Sequence, residues 1–294
     1  MNATALARAR TIDAKIGYLH RSSKINRRFC APHEDVNTSE YIECPVHMQD
    51  GSGLEDQFQL DVHGFMFVHS PNTFTAWNDP ERIAADYEPV QLEIVRRILG
   101  ADRMVNLGHA LRTAGNSVEK AMKPVASEAH VDFESRAAQA YAKSLYAEHH
   151  PDAPPYERFV AFSFWRPLTP PAHDWPLALC DFRSLAPDEG KRNVLVWCDE
   201  IPPKETWFDP IEGEDAFPAA YIFDHNPAHR WWYFSRMTPQ DALLLKFHDS
   251  DHSRAWRCAH SAFRNTADDQ PTERESIEFR GMAFFDAPSA GAKA

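Results

Sequence analysis

The chain has 294 residues, of which 25% are charged and 43% apolar, the balance of a soluble globular protein with ample material for a core. Its formal net charge of −12 argues against nucleic acid or an anionic membrane surface as the main partner, and no apolar run reaches bilayer-spanning length. Aromatic residues make up 12%, with eight Trp and nineteen Phe, so a thick β-rich core or an aromatic-walled pocket is expected.

In chain order, the first ten residues carry two Arg and no apolar stretch of the kind a secretory signal needs. Residues 1–57 show turn and polar residues without sustained periodicity and read as an irregular arm. Leu60 to His69 alternates like a strand or hairpin. Asn78-Asp79-Pro80-Glu81 is a helix start, and Ile83, Tyr87, Val90, Leu92, Val95, Ile98 and Leu99 keep helical spacing up to Gly100, with Pro89 expected to bend or split the helix. Met104 to Leu111 reads as a strand and Glu134 to about His149 as a helix. From Phe159 onward come short apolar runs between turn residues: 159–165, 177–182, 193–197, 219–223, 229–234, 243–247, 255–260 and 276–285. Thr238-Pro239-Gln240-Asp241 reads as a one-turn helix start, and residues 286–294 as a frayed tail. The five Cys (30, 44, 180, 198, 258) are odd in number, widely spaced and without a C-x-x-C, as expected of free thiols in a reducing, cytoplasmic setting. With no repeat, linker or composition shift, residues 58–285 are expected to form one α+β domain, a double-stranded β-helix (jelly roll) with helices packed outside.

The chemistry starts from His130-Val131-Asp132. In an extended segment alternate side chains share a face, so His130 and Asp132 project together while Val131 packs. An imidazole and a carboxylate on one face are two arms of a 2-His-1-carboxylate triad, which holds Fe(II) on one side and leaves the other open. A third ligand must come from elsewhere. His260 is the candidate, with His229 and His248 as rivals, because Arg274-Glu275-Ser276 follows it at the start of the last strong strand. On that strand Arg274 and Ser276 face one way, a planar donor fork plus a hydroxyl suited to the distal carboxylate of 2-oxoglutarate. Arg166 and Tyr233 are further candidates for contact with that cosubstrate. Arg166 could equally form a buried pair with Asp181, and Tyr233 could be packing. A metal-free accessory or small-molecule-binding protein on the same scaffold is the alternative. A zinc hydrolase is disfavoured by the lack of an H-E-x-x-H segment.

Taken as an ordered set, these stretches resemble the Fe(II)/2-oxoglutarate-dependent oxygenase-like family of fungal and bacterial secondary metabolism, which includes the aspergillic acid hydroxylase/desaturase, the meroterpenoid endoperoxidase and the cephamycin 7α-methoxylation protein. Leu60-Asp61-x-His63-Gly64-Phe65, Ala129 to Phe133, Trp165-Arg166-Pro167-Leu168, Trp175 to Asp181, His229 to Phe234, Ala259 to Phe263 and Arg274 to Arg280 carry the likeness. The resemblance implies a non-haem iron dioxygenase using Fe(II), 2-oxoglutarate and O2, with His130, Asp132 and His260 on iron and Arg274 on the cosubstrate. It implies a hydroxylase or desaturase acting on a C–H bond of a hydrophobic or cyclic small molecule; a homo-oligomer is compatible with it. Members often carry Asn where this chain has Ser163, two positions before Trp165, so a substrate or cosubstrate contact there would be altered.

Overall fold

The computed structural model describes residues 9–287. Residues 1–8, read above for a targeting signal, and residues 288–294 of the expected tail lie outside the described residues. The chain runs β1 (Thr11–Leu19), β2 (Arg27–Cys30), β3 (Asp35–Asn37), β4 (Tyr41–Asp50), α1 (Leu60–His63) and β5 (Phe65–His69). Then follow α2 (Pro80–Arg82), a π-helical turn (Ile83–Tyr87), α3 (Glu88–Leu99), β6 (Arg103–Thr113), β7 (Lys123–Pro124), β8 (His130–Val131) and α4 (Ser135–His149). The remainder is strand: β9 (Tyr156–Pro167), β10 (Leu177–Cys180), β11 (Lys191–Trp197), β12 (Ala219–Ile222), β13 (Trp231–Tyr233), β14 (Asp241–Asp249), β15 (His260–Ala262) and β16 (Glu275–Asp286). Short 3-10 turns join several of them. The fold is mostly β-sheet with few helices.

The strands form a ten-stranded sheet in the order β1-β4-β13-β10-β15-β8-β12-β11-β2-β3 and a six-stranded sheet in the order β5-β14-β9-β16-β6-β7. Period-two alternation gives the six-stranded sheet two different faces. Phe159, Ala161 and Trp165 of β9, Leu243, Leu245 and Phe247 of β14, and Met282 and Phe284 of β16 pack with Met48, Leu179 and Trp231 from the ten-stranded sheet. The intervening residues Val160, Phe162, Phe164, Leu244, Ile277 and Phe279 pack on Ile83, Tyr87 and Val95 of the helical segment. A continuously apolar run such as Phe159–Trp165 is therefore a strand buried on both sides.

Several expectations change. Residues 1–57 are not an irregular arm where described: β1 and β4 pair antiparallel, β4 pairs in parallel with β13, and β2 pairs in parallel with β11. Their burial alternates weakly because one face is solvated, which is why periodicity missed them. Leu60 to His69 is one helical turn, then Gly64 at φ 83°, then strand, and Thr238 to Asp241 is a turn in which the Asp241 carboxylate accepts from Thr238. Asp286 is not frayed; it ends β16 with its N–H donated to Asp102. Helical backbone continues through Pro89, which sits in the first turn of α3 just after the π turn. The π turn before it inserts an extra residue, so the inward face steps from Tyr87 to Glu88, Gln91 and Val95 and leaves Val90 exposed. Glu88 then binds Asn106 and His109 on β6.

The helix-facing side of β9 also carries Arg166, which is fully buried. Its five N–H groups are all used: on Tyr87 Oη, the Ser70 and Pro239 carbonyls, Ser70 Oγ and Gln91 Oε1, at 2.7–3.3 Å. Arg166→Met would keep much of the volume but orphan those acceptors. It should lower the unfolding free energy by about 3 kcal/mol or more, read by urea denaturation; a loss under about 1 kcal/mol would show that Arg166 is not what ties the helix to the sheet.

Candidate metal and cosubstrate site

Strands β8 and β15 are neighbours in the ten-stranded sheet, and their antiparallel register sets His130 directly opposite His260. The rings lie 4.3 Å apart between centroids. Each ring is held the same way: His130 Nδ1 donates to the Glu128 carbonyl at 2.8 Å and His260 Nδ1 to the Cys258 carbonyl at 3.1 Å. Holding the proton on Nδ1 leaves a lone pair on each Nε2. Asp132, just beyond β8, brings Oδ2 to 4.0 Å from His130 Nε2 and 3.4 Å from His260 Nε2. One donor atom from each of the three lies within 4.8 Å of the others.

Asp132 Oδ2 is buried without a hydrogen-bond partner. Burial would raise the Asp132 carboxyl, but Arg280 beside it and the two imidazoles hold it well below the usual carboxylate range. Burial and the neighbouring His260 push the His130 imidazole down, keeping it neutral. Two lone pairs and an orphaned anionic oxygen thus converge on one point. That donor set repels itself when empty and suits a divalent cation of the iron type.

A narrow cavity opens from this point between the sheets, about 30 Å³ in volume. Its wall includes Ser163, Trp165, Leu245, Arg112 and Glu278 beside the two imidazoles, and Arg274. Arg274 is 2% exposed, and its Nε and Nη1 have no acceptor; Ser276 Oγ, on the same face, is also unpartnered. The guanidinium lies 5.6 Å over the Trp165 ring. Burial, with Arg112 nearby, pushes it down to about 9, as expected of a desolvated cation lacking an anion.

The other candidates fall elsewhere. Arg166 points away from the cavity with every donor satisfied, which corrects its expected cosubstrate contact, and it does not pair with Asp181, whose carboxylate takes Arg183 and Arg230. Tyr233 is buried against Phe263 at 5.3 Å and is not part of the cavity wall. His229 is engaged by Glu189 and Tyr18 at 3.0 Å each. Glu278 and Arg112 were missed by sequence reasoning. Glu278 had a signal, since it shares parity with Arg274 and Ser276 on one strand.

Residues 17–284 match the family described as YDMC: Oxidoreductase/YMDC permease-like domain. No helix among the described residues is long and apolar enough to cross a membrane. The Fe(II)/2-oxoglutarate-dependent dioxygenase nvfI of Aspergillus novofumigatus is 31% identical over 248 residues, covering 81% of this chain and 82% of that one. The hydroxylase/desaturase efuI of Hormonema carpetanum is 29% identical over 264 residues, covering 84% and 85%. Among solved structures, a variant of the iron and alpha-ketoglutarate-dependent endoperoxidase NvfI is similar, with a TM-score of 0.74 at 25% identity, covering 95% of this chain and 99% of that one. The chain belongs to this oxidoreductase family, among its Fe(II)/2-oxoglutarate-dependent oxygenases of secondary metabolism.

The remaining rival, His248, is fully buried on β14 with both ring nitrogens unpartnered, stacked on Phe159 at 5.4 Å. Burial, with His252 beside it, pushes its imidazole down to about 3 from the ordinary 6.5. The folded chain keeps it neutral where the unfolded chain takes up a proton. Its contribution is therefore complete above about pH 6.5 and lost as pH falls toward 3, at up to about 1.4 kcal/mol per pH unit. His248→Phe should flatten the decline in urea stability between pH 7 and pH 5 relative to the parent; parallel curves would contradict a neutral buried His248.

Proposed function

We propose that this oxygenase holds Fe(II) on His130, Asp132 and His260, anchors the distal carboxylate of 2-oxoglutarate on Arg274 with Ser276, and oxidises a C–H bond of a hydrophobic or cyclic small molecule on a jelly-roll core. The observation that carries the reading is a pair of matched deficits facing one cavity. One end has an anionic oxygen and two lone pairs without a cation, and the other has a buried guanidinium without an anion. A metal and a dicarboxylate satisfy both. When bound, Fe(II) with 2-oxoglutarate and O2 supplies the oxidant for the C–H bond, with CO2 and succinate as co-products.

The chain's own residues do the positioning. The Glu128 and Cys258 carbonyls fix both ring orientations, and three ligands on one side leave the other side free for cosubstrate and substrate. A single anionic ligand leaves the site cationic, which favours a chelating 2-oxo acid. Arg274 offers the unused donors of Nε and Nη1 in a wall from which water is largely excluded, where a charge-assisted pair is strong. Leu177, Leu245 and Ala262, with Trp165, supply the apolar part of the wall. Ser163, replacing the family's frequent Asn, presents a short hydroxyl there and leaves more room near the substrate. The mainly antiparallel two-sheet arrangement and the likeness to NvfI support the jelly roll, and five free cysteines accord with a reducing, cytoplasmic setting.

Two measurements test this. His130→Ala, Asp132→Ala and His260→Ala should each sharply weaken Fe(II) binding with the fold retained; full occupancy in His260→Ala would remove it from the site. Arg274→Ala should raise the 2-oxoglutarate Kd about 30- to 1000-fold, the equivalent of about 2–4 kcal/mol for a desolvated charge-assisted pair. Arg274→Lys should recover only part, because a point charge lacks the fork. Titration calorimetry of the Mn(II)-loaded protein without O2 reads both, and parent-like binding by Arg274→Ala would place the anchor elsewhere.

A further inference from the structure

Arg280 lies on β16 of the six-stranded sheet, yet its Nη2 reaches across to Asp132 Oδ1 at 3.0 Å, on the segment that follows β8 of the other sheet. The two carboxylate oxygens are thereby treated differently: Oδ1 carries a guanidinium, while Oδ2 is buried and unpartnered between the imidazoles. Arg280 is itself immobilised. Its Nε donates to Glu278 Oε1 at 3.0 Å, and Glu278 Oε2 lies 3.5 Å from Arg112 Nε. Arg112 in turn donates Nη1 to the Pro124 carbonyl at 3.0 Å. The guanidinium also lies 5.5 Å over the Phe247 ring, which stacks on His260 at 5.8 Å. One phenyl ring thus braces both a putting-forward imidazole and the arginine that grips the carboxylate.

Resting on the metal site proposed above, we infer that Arg280 is a positioning residue that makes Asp132 a one-oxygen ligand. A free carboxylate can swing to give a divalent cation both oxygens. Here the second oxygen would intrude on the side that a facial triad leaves open for cosubstrate, substrate and O2. With Oδ1 held by a fixed, always charged guanidinium, only Oδ2 is offered. The row Arg112, Glu278, Arg280, Asp132 therefore carries the placement of the carboxylate from one sheet to the other. A merely structural ion pair between the sheets would have no reason to leave one oxygen bare and buried.

The test uses the full chain with Co(II) as probe, reading both affinity and the visible absorption band, which reports coordination number, in the absence of O2. Arg280→Ala and Arg280→Gln should each weaken Co(II) about 10- to 100-fold, the usual cost of losing a group that orients a ligand, and should change the position or intensity of the band. Arg280→Lys, with an ammonium still able to sit on Oδ1, should recover most of the parent's band. Near-ultraviolet circular dichroism checks the fold, and if the alanine variant does not fold, the glutamine variant decides. Parent-like affinity and band in a folded Arg280→Gln protein would overturn the inference and leave the metal site standing. A parent chain that takes up no Co(II) would sink the three-ligand site, and this inference with it.

Discussion

The placement of one atom, Asp132 Oδ2, constrains much of the molecule. An ionised oxygen without a hydrogen-bond partner in a buried place is among the costlier things a fold can hold. It is tolerated here because its neighbours are organised around it. The β8–β15 register brings in the two imidazoles, backbone carbonyls turn their lone pairs inward, and Arg280 neutralises the other oxygen. None of these is the arrangement that would most stabilise an empty protein. The aromatic core between the sheets supplies the stability that such a site gives up.

Two buried arginines show how function separates from structure within one sheet. Arg166 and Arg274 are both almost wholly removed from water. Arg166 sits on the helix-facing side of β9, and neutral oxygens take up all of its donors. Arg274 sits just before β16 on the cavity side with Nε and Nη1 unsatisfied, and burial lowers its proton affinity. The first is closed within the fold, whereas the second is open to a ligand that brings its own charge. Burial alone would have ranked them together; the difference is in the hydrogen bonds.

That difference also marks what could be read from the chain beforehand. His130 with Asp132, and Arg274 with Ser276, were legible because period-two alternation places residues two apart on one face whatever the rest of the fold does. His260 needed the order of strands in a sheet, which spacing does not contain; before the family likeness, only its place ahead of Arg274 and Ser276 set it above His229 and His248. Arg166 was ambiguous because β9 is buried on both sides, so neighbouring residues gave no clue to which face met the site. The strands of residues 11–50 were hidden by half-exposed, mixed sequences, and the inward face of the helix was shifted by a π turn that no apolar pattern announced.

The site is finally a property of how the two sheets sit on each other. The three candidate ligands come from the ten-stranded sheet and the segment just after β8, while Arg274, Glu278 and Arg280 come from the six-stranded one. The span between the candidate ligands and Arg274 is therefore set by inter-sheet packing. On its far side the six-stranded sheet is backed by the helical segment, through Tyr87 and Val95 against Phe162, Phe164 and Phe279. Gly281, next to Arg280, belongs to that contact: a Cβ there would meet the Phe162 ring at 2.4 Å. A side chain at this position would force either Phe162 or β16 to move, and β16 carries the residues that hold Asp132 and line the cavity. Packing on the face turned away from the chemistry thus sets the height of the strand that does the positioning, which is why a layer with no site residue of its own bears on the geometry of the site.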